Sequence, residues 1–359
     1  MGVFAVLLLV PIVIQHIGVK GYYIDPEKKN KRALTFFFLF LTFLVMCRHE
    51  SVGNDTRNYI YYFDIIRGLN WNRINVDSLE IGYVYFNKIV SIFSKDPQIL
   101  LAIAAVAVSA MLYPTYKRLC VDPSLTIVLY CILSTFVMMF SGIRQMMAIA
   151  IGFICYEFTR NKKLIPYFIA VAVAICFHTS AFMLLFMYPL YHAKITKNWL
   201  YVVLPVLGFI FAFNRQIFGI LGLILERYTE FEGSIQLTGA YSMIFLFAIF
   251  AAFCYLIPDE TRLDKETIGL RNFLWLALAV QMFAPLNALA MRMGYYYIIF
   301  IPVLIPKIIS FRSERWGQVA VLARYMMLVF FLVYFFWNAY TSESSLNVFP
   351  YHFFWETVR

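Results

Sequence analysis

Six side chains carry most of the reactive potential of this sequence: Arg48, Arg144, Arg292, His178, Asp55 and Glu80. Each sits at or near the end of an apolar run. Arg48 opens the stretch Arg48-His-Glu-Ser-Val-Gly-Asn-Asp-Thr-Arg-Asn-Tyr59, a dense polar patch directly after the apolar run Ala33–Cys47. Arg144 follows Phe140-Ser-Gly-Ile143 and precedes Met146-Met-Ala-Ile149, with Gln145 as its polar neighbour. His178 lies in Cys176-Phe-His-Thr-Ser180. A guanidinium stays charged and grips phosphate oxygens two at a time. An imidazole or a carboxylate can take a proton from a hydroxyl. Inserting an Arg near hydrocarbon costs about 2.5–3.5 kcal/mol. Three of them at span ends, with Glu50, Asp55 and Glu80 nearby, describe a basic cavity that opens outward; the plainer alternative is that each snorkels to lipid headgroups. Among arginines the His178 imidazole should be neutral, the form a base needs; its plainer role is a hydrogen-bonded residue at a span end. Asp55 follows Gly53-Asn54, so its carboxylate either caps a helix over Arg57–Gly68 or takes part in chemistry. The base remains open among His178, Asp55 and Glu80.

These groups need a scaffold, and the composition says which kind. The chain has 359 residues, 62% hydrophobic and 14% charged, whereas soluble domains average about 45–50% and about 25%. The fold class expected is all-α: a polytopic membrane bundle of one domain over residues 1–359. The net charge of +10 fits Lys and Arg capping the cytoplasmic ends of spans, and no nucleic-acid partner is expected. The six Cys form no Cys-x-x-Cys, so no disulfide framework or zinc site is indicated. No Asp-x-Asp occurs and no cluster has ligand spacing, so no metal or other cofactor is expected. Residues 3–14 lack a basic leader and a cleavage site, which reads as a retained first span.

A helical span takes about 20 apolar residues. The runs are Val3–Val19, Ala33–Cys47, Gln98–Tyr113, Leu125–Phe140, Met146–Phe158, Leu164–Phe177, Ala181–Tyr191, Trp199–Phe213, Tyr241–Ile257, Phe273–Ala290, Tyr295–Ile309 and Tyr325–Tyr340. Asn58–Gly68 reads as an amphipathic surface helix. If Glu80–Ser94 crossed the membrane, Lys117-Arg118 would fall outside and every later basic loop would oppose the first. Taken as a re-entrant or surface helix, it brings the basic loops to one side, with 19 of the 30 Lys and Arg. That gives about twelve spans and both termini outside. It also puts the tips at Gly142–Gln145, His178–Ser180 and Met291–Gly294 outside, together with loop 48–97 and a second outer loop, 214–240.

Guanidinium groups at the outer lipid face suit a lipid-linked pyrophosphate, whose phosphates would lie at that depth and whose sugars would sit in the aqueous cleft. Tyr59, Tyr61, Tyr62, Trp71, Tyr83, Tyr85 and Tyr295–Tyr297 would add sugar-stacking surface, or simply form the interfacial aromatic belt.

With these residues in place, the chain resembles the EpsG family of Wzy-like polysaccharide polymerases. The resemblance rests on Arg48, Val52-Gly-Asn-Asp-Thr56 and Asn58-Tyr59, then Glu80-x-Gly-Tyr83, Gly142-Ile-Arg-Gln145 and Phe177-His-x-Ser180. Arg292 followed by Tyr residues and a final Pro350-Tyr351 complete it. Ile81-Gly82 departs from the Glu-Pro-x-Tyr that members more often carry. The resemblance implies glycosyl transfer outside the cytoplasm, joining oligosaccharide repeat units carried on undecaprenyl pyrophosphate into exopolysaccharide, capsule or O-antigen. The residues supply the roles. Arg48, Arg144 and Arg292, with Gln145, Tyr59 and Tyr83, would hold pyrophosphate and glycan, and His178, Asp55 or Glu80 would take the acceptor proton. The partners implied are the lipid-linked oligosaccharide, the bilayer, and a chain-length regulator and flippase of the same pathway. The rival readings are a membrane O-acyltransferase acting on polysaccharide and a lipid-oligosaccharide translocator. A translocator would need polar groups along the full depth of a path, and the span interiors are nearly uncharged.

Overall fold

A computed structural model describes residues 2–16, 25–74, 76, 79–224, 237–341 and 346–358. Among these residues the chain is helical throughout, with seventeen α-helices, short 3-10 turns, two isolated bridges and no strand. Among the described residues three helices are long and apolar enough to cross a membrane: Pro97–Leu119, Gly239–Leu256 and Glu314–Thr341. Three bent helix pairs raise the number to as many as six. Large apolar side chains such as Val106 and Phe245 are well exposed on these helices, as suits a membrane protein whose outer surface meets lipid. The end of the expected first span and part of the first basic loop, 17–24, lie outside the described residues, as does 225–236.

The chain divides into two compact units. The first is Met1–Phe182 with Ala323–Arg359. It contains α1 (Gly2–His16), α2 (Pro26–Met46), α3 (Thr56–Gly68), α4 (Ile81–Phe93), α5 (Pro97–Leu119), α6 (Pro123–Ile132), α7 (Ser134–Ser141), α8 (Ile143–Arg160) and α9 (Leu164–Phe177). α2, α5 and α6 each begin at an Asp-Pro pair. The Asp25, Asp96 and Asp122 carboxylates accept from the N–H of Glu27, Gln98 and Leu125. Proline then fills the first helical position, where its missing N–H costs nothing.

The polar stretch after α2 is held in place by the C-terminal tail. His49 N donates to His352 O at 2.9 Å, Gly53 N to Asn347 O at 3.0 Å and Asn54 N to Leu346 O at 3.0 Å. Phe354 N donates back to Cys47 O at 2.9 Å, and the Tyr351 hydroxyl to Leu44 O at 2.8 Å. Gly53 has φ +88°, and a Cβ there would stand 2.3 Å from the Phe140 carbonyl oxygen; only glycine satisfies both. α3 then buries Tyr59, Phe63 and Ile66 on one face and exposes Arg57, Asp64 and Arg67 on the other, the amphipathic pattern read from the sequence. Its C-terminal carbonyls, Ile66, Arg67 and Leu69, are capped by Lys88 Nζ from α4 at 3.4, 2.9 and 2.5 Å. A cation at a helix C-terminus is favoured by the helix dipole. α4 has 13 residues, roughly 20 Å at 1.5 Å per residue, against a hydrocarbon core of about 30 Å.

The second unit is Met183–Leu322. It contains α10 (Met187–His192), α11 (Leu200–Ala212), α12 (Asn214–Ile224), α13 (Leu237–Leu256), α14 (Lys265–Gln281), α15 (Ala288–Ile298) and α16 (Ile301–Ser310). α17 (Gly317–Thr341) follows, its residues from Ala323 belonging to the first unit. α14 packs on α10, α13, α15 and α16.

The helix ends differ from the sequence reading in several places. Leu125–Phe140 is not one straight rod but α6 and α7, bent by 65°. Ala181–Tyr191 is a 3-10 run, Thr179–Phe186, followed by the six-residue α10; Pro189 has no N–H to continue a helical ladder. The turn expected at Met291–Gly294 falls at 282–287 instead, where Pro285 interrupts the helix. Arg292 therefore lies inside α15, not at a hairpin tip. The expected outer loop 214–240 opens with α12 and closes on the first turn of α13.

Candidate active site

Glu80, immediately before α4, is the hub of a polar cluster in the first unit. Its Oε2 accepts from Arg144 Nη1 at 2.6 Å. Its Oε1 accepts from Thr179 N at 3.3 Å and stands 3.5 Å from His178 Nδ1. Three helix ends supply these groups. Arg144 is the second residue of α8, and His178 is the residue after α9, its own N–H donating to Ala174 O at 3.0 Å. Gly82 lets α4 lie against the end of α9: a Cβ there would be 2.7 Å from the Cys176 carbonyl oxygen. The motif residue thus brings Glu80 within reach of Thr179 and His178. The side chains of Glu80, His178 and Arg144 are 13%, 23% and 28% exposed, so the cluster is shielded but reachable. Ser180 N and Oγ both lie 3.4 Å from His178 Nδ1.

Tyr59 and Tyr83 back this layer, ring edge to ring face at 5.7 Å. Burial pushes the Tyr59 phenol up to about 12, and the adjacent Arg144 guanidinium offsets part of that rise. Burial raises Tyr83 further, with Arg144 and Arg48 both acting against it. Arg48 is fully buried. It donates to Val45 O and, at 3.4 Å, to Thr56 Oγ1. Burial depresses it to about 10, and Tyr351, Tyr59 and Tyr83 act in the opposite direction. Among the described residues, Arg48 Nη2, Arg144 Nε and the Tyr83 hydroxyl are buried without a hydrogen-bond partner.

The structure therefore gathers Glu80, Arg144, His178, Tyr59, Tyr83 and Arg48, but not in the roles the sequence suggested for all of them. Arg48 is no exposed tip, because the C-terminal tail covers its stretch. Tyr59 and Tyr83 are buried and meet arginines rather than open surface. A carboxylate, that of Glu80, faces the His178 imidazole at Nδ1. Asp55 occupies the N-cap position of α3, yet its side chain makes no cap bond; only its carbonyl accepts, from Tyr59 N at 3.0 Å. Gln145 is buried on α8. Arg292 and the buried Tyr295, Tyr296 and Tyr297 belong to the second unit. Of the aromatic residues expected to stack on sugars, Tyr61, Trp71 and Tyr85 are exposed, the last two stacked at 6.4 Å. Three features escaped the sequence reading: the Thr179 N–H on Glu80, the close approach at Gly82, and Lys88 as a helix cap. A lone Lys inside the apolar run 81–93 was the visible trace of the last.

The cluster can orient an imidazole through a carboxylate and present a guanidinium to an anion. No curated protein and no solved structure matches the chain. The model of the EpsG family matches residues 31–353, from within α2 to the tail that covers Arg48, and the chain belongs to the EpsG family.

Proposed function

We propose that this protein is a glycosyltransferase that joins oligosaccharide repeat units carried on undecaprenyl pyrophosphate, at the extracytoplasmic face of the cytoplasmic membrane. Family membership implies an exopolysaccharide-related polymerase role. The observation that carries the finer reading is the Glu80–Arg144–His178 cluster. In the proposed step the bond from the donor's anomeric carbon to pyrophosphate oxygen breaks, and its electron pair leaves with the pyrophosphate. The acceptor hydroxyl oxygen forms the new bond to that carbon. Its proton passes to His178 Nε2.

The geometry favours His178 over Glu80 as the base. Both Glu80 oxygens are already engaged, by Arg144 and by Thr179 N, which suits the carboxylate to orienting the imidazole through Nδ1. The 3.5 Å gap between them is of the kind that tightens when substrate binds. Arg144, whose side chain is 28% exposed, would meet a phosphate oxygen and stabilise the charge developing on the leaving group. Arg48 adds positive potential from deeper in the protein. Trp71 and Tyr85 offer an exposed face for sugar rings.

The topology proposed with this chemistry has about twelve spans, with α4 remaining on the outer side; the shortness of α4 supports it. A flippase would deliver the substrate and a chain-length regulator would act on the product. Deletion of the protein followed by analysis of lipid-linked glycans tests the function. Single repeat units should accumulate on the carrier outside the cytoplasm. Repeat units trapped inside would identify a translocator, and unaltered polymer lacking acyl groups an acyltransferase; either result overturns the proposal.

A further inference from the structure

The second unit carries a basic cleft that the glycosyl-transfer chemistry does not use. It has a volume of about 790 Å³ and lies between the segment following α10 and the start of α14. Lys194, Lys197 and Lys265 line it, and all three are exposed. Its floor is built. Arg271, 1% exposed, donates to Glu260 at 2.6 and 3.4 Å and to Ile195 O at 2.8 Å, and its guanidinium lies 3.9 Å from the Tyr255 ring centroid. Glu260, the carboxylate lining the cleft, is thereby neutralised. Nearby Asp259 turns its carboxylate to Thr261 N and Oγ1, at 3.1 and 2.7 Å. Lys194 and Lys265 form no ion pair among the described residues. The cleft is left with a surplus of positive charge.

A second observation says what kind of anion fits. Ala193, Lys194 and Ile195 also line an apolar groove of about 340 Å³ that runs between α11 and α14, past Trp199, Val206 and Trp275. From Trp199 to Ile210 this groove is roughly 16 Å long at 1.5 Å per residue, about half the thickness of a bilayer's hydrocarbon core. Val202 and Val206 are half exposed along it. A soluble anion would need the cleft alone. An amphiphile with a phosphate head and a hydrocarbon tail would fill both, with its head–tail junction beside Lys194.

We propose that the cleft and groove bind an anionic phospholipid, its phosphate among Lys194, Lys197 and Lys265 and one acyl chain between α11 and α14. Lysines bind a headgroup phosphodiester as mobile point charges, without the fixed fork of an arginine. Basic pockets beside membrane helices recognise anionic lipids on this principle.

Native mass spectrometry of the full-length protein in detergent tests the proposal, titrating dioleoylphosphatidylglycerol, dioleoylphosphatidylcholine and soluble glycerol 3-phosphate. Phosphatidylglycerol should bind about tenfold or more tighter than phosphatidylcholine, and replacing Lys194, Lys197 and Lys265 together with Gln should erase that preference. Val206→Trp, on an exposed helix face that tolerates bulk, should weaken phosphatidylglycerol binding several-fold by filling the groove and leave glycerol 3-phosphate unaffected. It decides the matter even if the triple variant fails to fold. Equal binding of the two lipids would overturn the proposal. So would indifference to Val206→Trp, or glycerol 3-phosphate binding as tightly as phosphatidylglycerol, which would mark a site for soluble anions.

Discussion

Two arginines in this protein each hold a carboxylate at 2.6 Å: Arg144 with Glu80 in the first unit, and Arg271 with Glu260 in the second. The bond lengths are the same and the surroundings are not. Arg271 is almost fully buried, packed on Tyr255 and bonded to a backbone carbonyl, so its guanidinium is committed to the fold. Arg144 is more open, its side chain 28% exposed against 1% for Arg271, and the carboxylate it holds also faces an imidazole and a backbone N–H. An ion-pair distance therefore says little about role; the polar groups around the pair say more. The first pair has the surroundings of a reactive site, and the second those of a clamp under a basic cleft.

The sharpest way to break this comparison is to remove the imidazole. His178→Ala should lower chain growth by about 10²–10⁴-fold, the range for loss of a general base, while lipid-linked substrate still binds, because a base acts mainly in the transition state. Polymer length and rate, measured at equal protein level, check it. Arg144→Lys belongs to the same test. It should fold normally and lose polymerisation about 10²-fold, because an ammonium keeps the charge but not the planar fork. Normal polymer from both variants would leave the cluster a structural ion pair like the other.

The second pair should respond in the opposite way. Arg271→Met leaves Glu260, which is 26% exposed, without its partner above an apolar floor. Breaking a buried pair by removing one member costs several kcal/mol, here about 3 because Glu260 is partly solvated. Thermal unfolding of the purified protein should therefore shift well below the wild type, while the protein that stays folded keeps its polymerising activity. An unchanged unfolding temperature would show that Arg271 does not hold the fold, and the contrast with Arg144 would lose its meaning.

What the sequence disclosed follows from the kind of signal each feature leaves. The helical, membrane-embedded class was legible because 62% apolar composition admits few alternatives. α3 was legible because Tyr59, Phe63 and Ile66 recur at helical spacing between charged residues. Arg144 and His178 stood out as polar groups in apolar surroundings, and Glu80 as the carboxylate that opens an apolar run. Helix ends within long apolar runs were not legible, since hydropathy does not change where Pro285 interrupts the helix or where the 3-10 run Thr179–Phe186 replaces an α-helix. The burial of Arg48 was also hidden. It depends on a tail some three hundred residues away in sequence, as in the bond from Tyr351 to Leu44, with a separation of 307. Nothing near Arg48 encodes that contact.

The smallest expected effect is at Asp55, and it separates two readings that the sequence left level. Asp55 stands at the start of α3 and makes no side-chain cap bond, so Asp55→Asn should alter stability by less than about 0.5 kcal/mol. Glu80 already occupies the position beside His178, and the Asp55 side chain makes no bond to any member of that cluster among the described residues. Its amide variant should therefore polymerise within about threefold of the wild type, since a factor of three is worth only about 0.65 kcal/mol in a barrier. Measured beside Glu80→Gln, the pair is informative in both directions. Glu80→Gln keeps the shape of the side chain but weakens its hold on Arg144 and on the imidazole, and it should slow chain growth far more than Asp55→Asn. A large loss from Asp55→Asn with little change from Glu80→Gln would move the proton acceptor to the start of α3. The pair at Glu80 would then be a clamp like that at Glu260.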